Sequence, residues 1–107
     1  MKVEQRKDGA FSIIDDNGIV IVPYGKYDWI DEYQFGFARV KIGKETNGKN
    51  NANIKWGIVD ELGVEVVPTI YDNIWKFHGT NWGNTILCLK DMEFRFYFHT
   101  KEIIRVL

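Results

Sequence analysis

The chain contains one sequence pattern twice, and this internal repeat constrains the fold more than any single segment does. The segment 13–23 reads IIDDNGIVIVP, and the segment 58–68 reads IVDELGVEVVP. The likeness continues beyond the two prolines, because the Tyr-Asp pair at 27–28 returns at 71–72. Repeated units are shaped by stacking on one another, so the pattern predicts architecture and says little about chemistry.

Each copy is predicted to begin with a β-hairpin. Apolar β-branched residues flank a polar loop that ends with Gly18 in the first copy and Gly63 in the second. Glycine accepts the left-handed backbone at no steric cost, so both residues are expected to have positive φ. Proline cannot donate to a β-ladder, so Pro23 and Pro68 are expected to end the second strand of each hairpin.

These units predict a single all-β domain without sustained helical periodicity. We expect an antiparallel meander of about eight short strands in two to two-and-a-half hairpin repeats, as a small barrel-like or curved sheet. The segment between the copies is polar and is interpreted as a mobile hairpin insertion. The predicted parts are repeat 1 at about 10–42, the polar insertion at 43–54, repeat 2 at about 55–90 and a degenerate third unit at 94–107.

The last strand, predicted at 102–107, is apolar and lacks the proline that follows the other hairpins. An unprotected strand edge invites pairing with another strand. We expect it to pair with the N-terminal strand and close the meander, leaving a monomer. The main alternative is a homodimer through the C-terminal strand.

The second copy begins with Lys55-Trp56-Gly57 and continues through a turn glycine, Val-Val-Pro and Tyr-Asp. This order of residues resembles the bacterial WG-repeat family, also called KWG repeats. The resemblance covers roughly residues 10–107, although Phe11-Ser12 replace the Trp-Gly signature in the first copy. It implies all-β repeat units of unassigned biochemical function, usually viewed as binding or scaffolding modules, and it implies no catalytic residues.

The motif residues are interpreted as structural. Trp56 opens a strand, where a large ring can cover the end of the hairpin core. Gly57 would let that ring or a neighbouring strand approach the backbone closely. Asp28 and Asp72 are expected to accept hydrogen bonds from local backbone donors after the turn.

Composition and spacing argue against several classes of protein. The formal net charge of −1 lacks the basic excess typical of nucleic-acid binders. Cys88 is the single cysteine, so no intrachain disulfide can form, and we interpret it as a buried thiol. No signal peptide or apolar run of about 18 residues is present, which predicts a cytoplasmic protein without membrane contact. We predict no catalytic residues, no metal site and no cofactor.

Five aromatic residues are candidates for binding a partner. Trp29 corresponds to Asn73 in the other copy, and Trp75 corresponds to Asp31, so each tryptophan replaces a polar residue. A position that is polar in one unit is expected to be exposed in both, and exposed tryptophan is a typical interface anchor. The same rings could instead cover the ends of the core. The remaining candidates lie in connections and are Trp82, Phe35 and Tyr24.

The leading hypothesis is therefore a non-catalytic protein-interaction or scaffolding module. An alternative is a carbohydrate- or cell-wall-binding module that stacks exposed tryptophans on sugar faces. A second alternative is a small immunity or regulatory protein of a toxin or secretion system. A coplanar row of exposed rings would favour sugar, and a mixed aliphatic and aromatic patch would favour protein.

Overall fold

A computed structural model of the chain describes residues 1–43, 53–77 and 83–106. These residues form eleven antiparallel strands, which confirms the all-β prediction with more strands than expected. No helix in these ranges is long and apolar enough to cross a membrane. The strands are β1 (Lys2–Gln5), β2 (Phe11–Ile14), β3 (Val20–Val22), β4 (Trp29–Ile30), β5 (Phe37–Ile42), β6 (Lys55–Asp60), β7 (Glu65–Tyr71), β8 (Asn73–Ile74), β9 (Asn84–Leu89), β10 (Met92–Tyr97) and β11 (Glu102–Val106).

The strands form three sheets whose boundaries do not follow the sequence repeat. The first sheet has the order β1-β2-β3, the middle sheet β4-β5-β6-β7, and the third sheet β8-β9-β10-β11. In the middle sheet, β4 and β5 belong to the first repeat, whereas β6 and β7 form the hairpin of the second. β5 and β6 pair over six residues without a register shift, from Phe37 opposite Asp60 to Ile42 opposite Lys55. Each repeat therefore supplies strands to two successive sheets.

The middle sheet is buried on both faces and separates two hydrophobic cores. Ile58 and Val59 are adjacent in β6 and both have no exposed surface. Successive side chains of a strand point to opposite faces, and Val59 lies in the first cluster whereas Ile58 lies in the second. Core 1 consists of Phe11, Ile13, Val22, Tyr27, Ile30, Ala38, Val40 and Val59. Core 2 consists of Phe37, Ile58, Val67, Tyr71, Ile74, Phe77, Leu87 and Phe96.

The two hairpin turns have the same backbone geometry. Gly18 and Gly63 both have a φ of 78°, which confirms the predicted left-handed glycine. In the first turn the Asp15 carboxylate accepts hydrogen bonds from the backbone N–H groups of residues 17 and 19, both at 2.9 Å. Asp60 accepts the equivalent bonds in the second turn, at 2.8 and 3.0 Å. An aspartate at the first position and a glycine at the fourth therefore specify this turn in both units.

The prediction that Asp28 and Asp72 bond local donors is wrong. The Asp28 carboxylate accepts the backbone N–H of Gly43 at 2.7 Å, and the Asp72 carboxylate accepts that of Lys90 at the same distance. Gly43 directly follows β5, the partner of the strand β4 that begins after Asp28. Lys90 directly follows β9, the partner of the strand β8 that begins after Asp72. Both donors have a positive φ. The repeated aspartate therefore caps the distant end of the neighbouring strand, a contact that sequence separation conceals.

The two prolines occupy different places. Pro23 directly follows β3, as predicted, but Pro68 lies inside β7 rather than at its end. The ladder between β6 and β7 changes register on both sides of Ile58, so β7 is bulged beside the proline. A sheet tolerates proline at a bulge or in an edge strand, and β7 is a bulged edge strand.

The predicted closure of the meander is also wrong. Among the described residues β11 pairs with β10 alone, and β1 pairs with β2 alone, so the three sheets stay open. The fold is a curved stack of sheets rather than a barrel. The body of the polar insertion, residues 44–52, and the terminal Leu107 lie outside the described residues.

The second residue of the Trp-Gly signature marks a close approach of two strands. A Cβ atom on Gly57 would lie 2.7 Å from the Val67 carbonyl oxygen in β7. The equivalent residue of the first unit is Ser12, which is fully buried and whose hydroxyl donates to the Val22 carbonyl at 2.8 Å. In the second unit the missing side chain of Gly57 allows the two strands to come close. In the first unit the Ser12 hydroxyl forms a hydrogen bond with the equivalent carbonyl, that of Val22.

We expect Gly57→Ala to lower the free energy of unfolding by about 2–3 kcal/mol, because the methyl group must push β7 away. Gly57→Ser should lose less than Gly57→Ala, since its hydroxyl can repeat the Ser12 bond. The control is Gly18→Ala, where the space is open and only the left-handed backbone is strained, at about 1 kcal/mol. Urea unfolding measures all three, and a Gly57→Ala variant as stable as Gly18→Ala would contradict the close approach.

Candidate interaction surface

A buried arginine joins the middle and third sheets. Arg39 in β5 is 6% exposed, and its guanidinium donates to the Asp31 carboxylate at 2.5 Å. It also donates to the Ile74 carbonyl of β8 at 2.6 Å, which crosses from the first repeat to the second. The Trp56 ring lies 4.3 Å from the guanidinium carbon, a cation–π distance. Trp56 is half-buried rather than fully covered, and it packs beside core 2 with its face toward this cation.

The same positions of the third sheet carry apolar residues. The Asp31 backbone N–H donates to the Arg39 carbonyl, and the Trp75 backbone N–H donates in the same way to the Ile86 carbonyl. Trp75 is therefore the equivalent of Asp31, and Ile86 is the equivalent of Arg39. In the middle sheet these two positions hold an ion pair that faces the third sheet. In the third sheet they hold a tryptophan and an isoleucine.

These residues belong to the outer face of the third sheet, which we call the terminal face. Phe94, Phe96 and Ile103 point into core 2 or pack against it, so the alternate residues of β10 and β11 point away from it. Trp75 is 52% exposed and Ile104 is 49% exposed. The apolar residues of the terminal face are Trp75, Ile86, Cys88, Ile104 and Val106, and its polar residues are Asn73, Asn84, Glu93, Arg95, Tyr97 and Glu102.

The polar groups of the terminal face lie beside and between its apolar residues. Arg95 donates to the Asn84 side-chain carbonyl at 2.9 Å, and Glu93 lies opposite Cys88 in the ladder. Burial raises the pKa of the Cys88 thiol, the Glu93 charge raises it further, and the Trp75 indole partly offsets both. The raised pKa keeps the thiol protonated at neutral pH, which suits packing rather than nucleophilic chemistry. No three histidine, cysteine or carboxylate side chains come together in the part of the chain that the structure describes.

The opposite end of the stack carries charge. Lys2 and Glu4 of β1 form an ion pair at 3.4 Å. Glu4 also accepts the Tyr24 hydroxyl at 3.2 Å, and the Arg6 guanidinium lies 4.4 Å from the centre of the Tyr24 ring. Tyr24, a predicted partner-binding residue, is thus held in a polar cluster beside β1. The two ends of the stack differ in chemistry, because the first carries this charged cluster and the last exposes Trp75 and Ile104 among its polar residues.

Trp29 lies apart from the terminal face, at the edge of the middle sheet. Its ring is 42% exposed and lies 5.0 Å from the ring of Phe11 in core 1. Its indole N–H donates to the Asp31 carboxylate at 2.6 Å. Trp29 and Trp75 do not form one surface, and the Trp29 ring covers the side of core 1.

Phe35 lies in the tight turn between β4 and β5. Its φ is 58° and that of Gly36 is 82°, so both central residues of the turn are left-handed. This conformation is rare for a bulky side chain. The Phe35 ring is 50% exposed and lies 5.4 Å from the Phe98 ring. Trp82 precedes Gly83 as Phe35 precedes Gly36, but Trp82 lies outside the described residues.

Of the four predicted binding residues that the structure describes, Trp75 alone lies on the terminal face. Its partners Ile86 and Ile104 were not predicted, because each lies in a segment that reads as an ordinary apolar strand. The signal for Ile86 is the comparison of equivalent positions, which shows isoleucine where the first repeat has the buried Arg39. That comparison needs the strand register, which the sequence alone leaves open.

The ion pair inside the stack should matter more than an exposed one. Asp31→Asn leaves the Arg39 charge without its counter-charge at a side chain that is 8% exposed, and we expect a loss of about 3 kcal/mol. Lys55→Met removes the pair with Asp72, whose side chains are 36% and 41% exposed, and should cost less than about 1 kcal/mol. Chemical unfolding measures both variants. Equal losses would show that Arg39 does not lock the two sheets.

Comparison with known proteins agrees with this repeat architecture. A family model described as "WG containing repeat" matches residues 11–45 and 56–81, which together make up more than half of the chain. Searches of curated proteins and of solved structures each gave no match. The two matched segments contain the hairpins β2–β3 and β6–β7 and the strands β4 and β8 that follow them. The chain therefore belongs to the family of WG-containing repeat proteins.

Proposed function

We propose that this chain is a non-catalytic protein-binding module and that the terminal face is its docking surface. The observation that carries the proposal is the exchange of Asp31 and Arg39 for Trp75 and Ile86 at equivalent positions. Inside the stack this face of a sheet is covered by the next sheet. At the end of the stack it holds an exposed tryptophan, an anchor residue of protein interfaces.

The contrast between the two ends supports the assignment. Repeat stacks need polar outer faces where no further unit covers them, and the charged cluster around Glu4 meets that need at one end. Val20 is half exposed on the same face as Lys2 at that end, whereas the terminal face leaves both the larger Trp75 and Ile104 about half exposed. Exposed apolar patches on monomeric proteins commonly mark interaction sites.

The expected partner is a protein surface that places aliphatic or aromatic side chains against Trp75 and Ile104. The Glu93 and Arg95 side chains lie on the same face, with Arg95 directly between Ile86 and Ile104, and would select charged groups of opposite sign on the partner. A small immunity or regulatory protein would be a special case, in which the partner is a toxin or a secretion component, and it remains a prediction.

The same geometry gives less support to sugar binding. A sugar platform would favour exposed rings in one plane, but Trp29 and Trp75 lie in different sheets. The Trp29 ring rests on Phe11 and its N–H is bonded to Asp31. The side chains beside Trp75 on the terminal face are those of Ile86 and Cys88, and the Tyr97 ring of the same face lies two strands away, opposite Asn84.

Trp75→Ala and Trp29→Ala form a matched pair of variants. Trp75→Ala should leave the melting temperature nearly unchanged and weaken partner binding at least tenfold, which is the loss typical of an interface anchor. Trp29→Ala should leave binding unchanged and cost about 1–2 kcal/mol of stability through the lost ring contact and hydrogen bond. This differs from the expectation that sequence gave for Trp29, because its ring covers core 1.

The binding measurement needs a purified partner. Proteins captured from extracts of the source cells are identified, purified and titrated calorimetrically against the wild type, Trp75→Ala and Trp29→Ala. Chitooligosaccharides and soluble peptidoglycan fragments are titrated in parallel. If Trp75→Ala bound the protein partner as tightly as the wild type, the terminal face would not be the docking surface. If the wild type bound a sugar and Trp75→Ala did not, the carbohydrate-binding alternative would be favoured.

A further inference from the structure

The edge strands of the three sheets differ in how well they are protected against pairing with another chain. Among the described residues, β4 and β8 are edge strands of two residues each. β3 is followed by Pro23 and its ladder to β2 changes register, while β7 contains Pro68 and is bulged against β6. β1 carries the ion pair of Lys2 and Glu4. Short length, proline, bulges and charge are the devices that keep an edge strand from pairing with another chain.

β11 has none of these devices at its centre. It runs from Glu102 to Val106 and pairs with β10 over five residues without a register shift. Arg105 follows Ile104 as Pro68 follows Val67, so the third hairpin has lost the proline. Ile103 packs against core 2, and Ile104 is about half exposed at the middle of the open edge.

We propose that two copies of this chain form a symmetric dimer by antiparallel pairing of β11 with β11 of the second copy. The two-fold axis would run perpendicular to the sheet, since only this axis makes neighbouring identical strands antiparallel within one sheet. Residues directly opposite each other then share a face, so the axis passes between one residue and its own counterpart. This inference does not rest on the proposed binding function.

Charge selects the residue at the axis. An axis at Glu102 or Arg105 would place two like charges opposite each other, and an axis at Ile103 would place Arg105 opposite Lys101. An axis at Ile104 places the two half-exposed isoleucines together. It also places Glu102 opposite Val106 of the second copy and creates no like-charge pair within β11. An axis at Val106 would also avoid like charges, but within β11 it would pair only Val106 with its own counterpart. Ile104 is the central residue of β11, so an axis there pairs all five residues of the strand.

The dimer would contain one continuous sheet of eight strands, four from each copy. Both terminal faces would lie on the same side of this sheet, because the axis is perpendicular to it. The two Ile104 side chains would join them into one continuous surface. The edge pairing is short, so we expect a dissociation constant in the micromolar range, on the order of 10 µM.

Sedimentation equilibrium between about 1 µM and about 1 mM tests the association directly. The wild type should change from monomer to dimer over this range, an increase of about twofold in apparent mass. Ile104→Lys should stay monomeric at every concentration, because two lysines would face each other across the axis. Val20→Lys is the matched control, since Val20 is also 49% exposed and lies in the edge strand β3, and it should associate like the wild type.

Disulfide trapping tests the register, in a Cys88→Ser background that removes the native thiol. Ile104→Cys should form a covalent dimer on mild oxidation, because opposite residues bring their Cβ atoms within bonding reach. Glu102→Cys and Val106→Cys should each stay monomeric alone and should crosslink to each other when mixed. Thermal unfolding of each variant verifies that the monomer is folded.

Three results would overturn the proposal. One is a wild type that stays monomeric up to about 1 mM. Another is an Ile104→Lys variant that is folded and associates as strongly as the wild type. The third is a Glu102→Cys variant that crosslinks to itself as readily as Ile104→Cys, which would contradict the Ile104 axis.

Discussion

The pairing of β5 with β6 is the interaction on which the rest of the structure depends. It joins the last strand of the first repeat to the first strand of the second over six residues, and it creates a sheet that is buried on both faces. Neither repeat contains a complete sheet or a complete core of its own. Core 1 is completed by Val59 of the second repeat, and core 2 contains Phe37 of the first, so full burial of apolar surface, the main favourable term in folding, requires both repeats.

The same arrangement explains why the two ends of the stack matter. The middle sheet has one face toward core 1 and one toward core 2, whereas the third sheet faces core 2 on one side and has no further sheet over its outer face in the described structure. At that face Trp75 and Ile86 stand where the middle sheet has Asp31 and the buried Arg39. The proposed function and the proposed dimer both follow from this end of the stack, one through its face and the other through the edge of β11.

The sequence was sufficient to predict the repeat, the two turns with left-handed glycines, the all-β class and the family. Those features depend on local chemistry: Gly18 and Gly63 satisfy a turn whatever lies around them. It was not sufficient where distant parts meet. Asp28 and Asp72 bond amides at the far end of a neighbouring strand, and Pro68 lies in a bulge. β1 was missed because the charges of Lys2 and Glu4 give it the pattern of a solvated tail. The terminal face was found only in part, because Ile86 becomes informative once the register equates it with Arg39.

Native-state hydrogen exchange tests the central claim, that the two repeats share one cooperative sheet. The account predicts that backbone amides of β5 and β6 exchange with the same free energy of opening, equal to that of global unfolding, although they belong to different repeats. Amides of β1 and β11, at the outer edges of the end sheets, should open at lower free energy. If instead the strands β2 to β5 were protected as one group and β6 to β9 as another with a different free energy, the repeats would be independent units and the account would be contradicted.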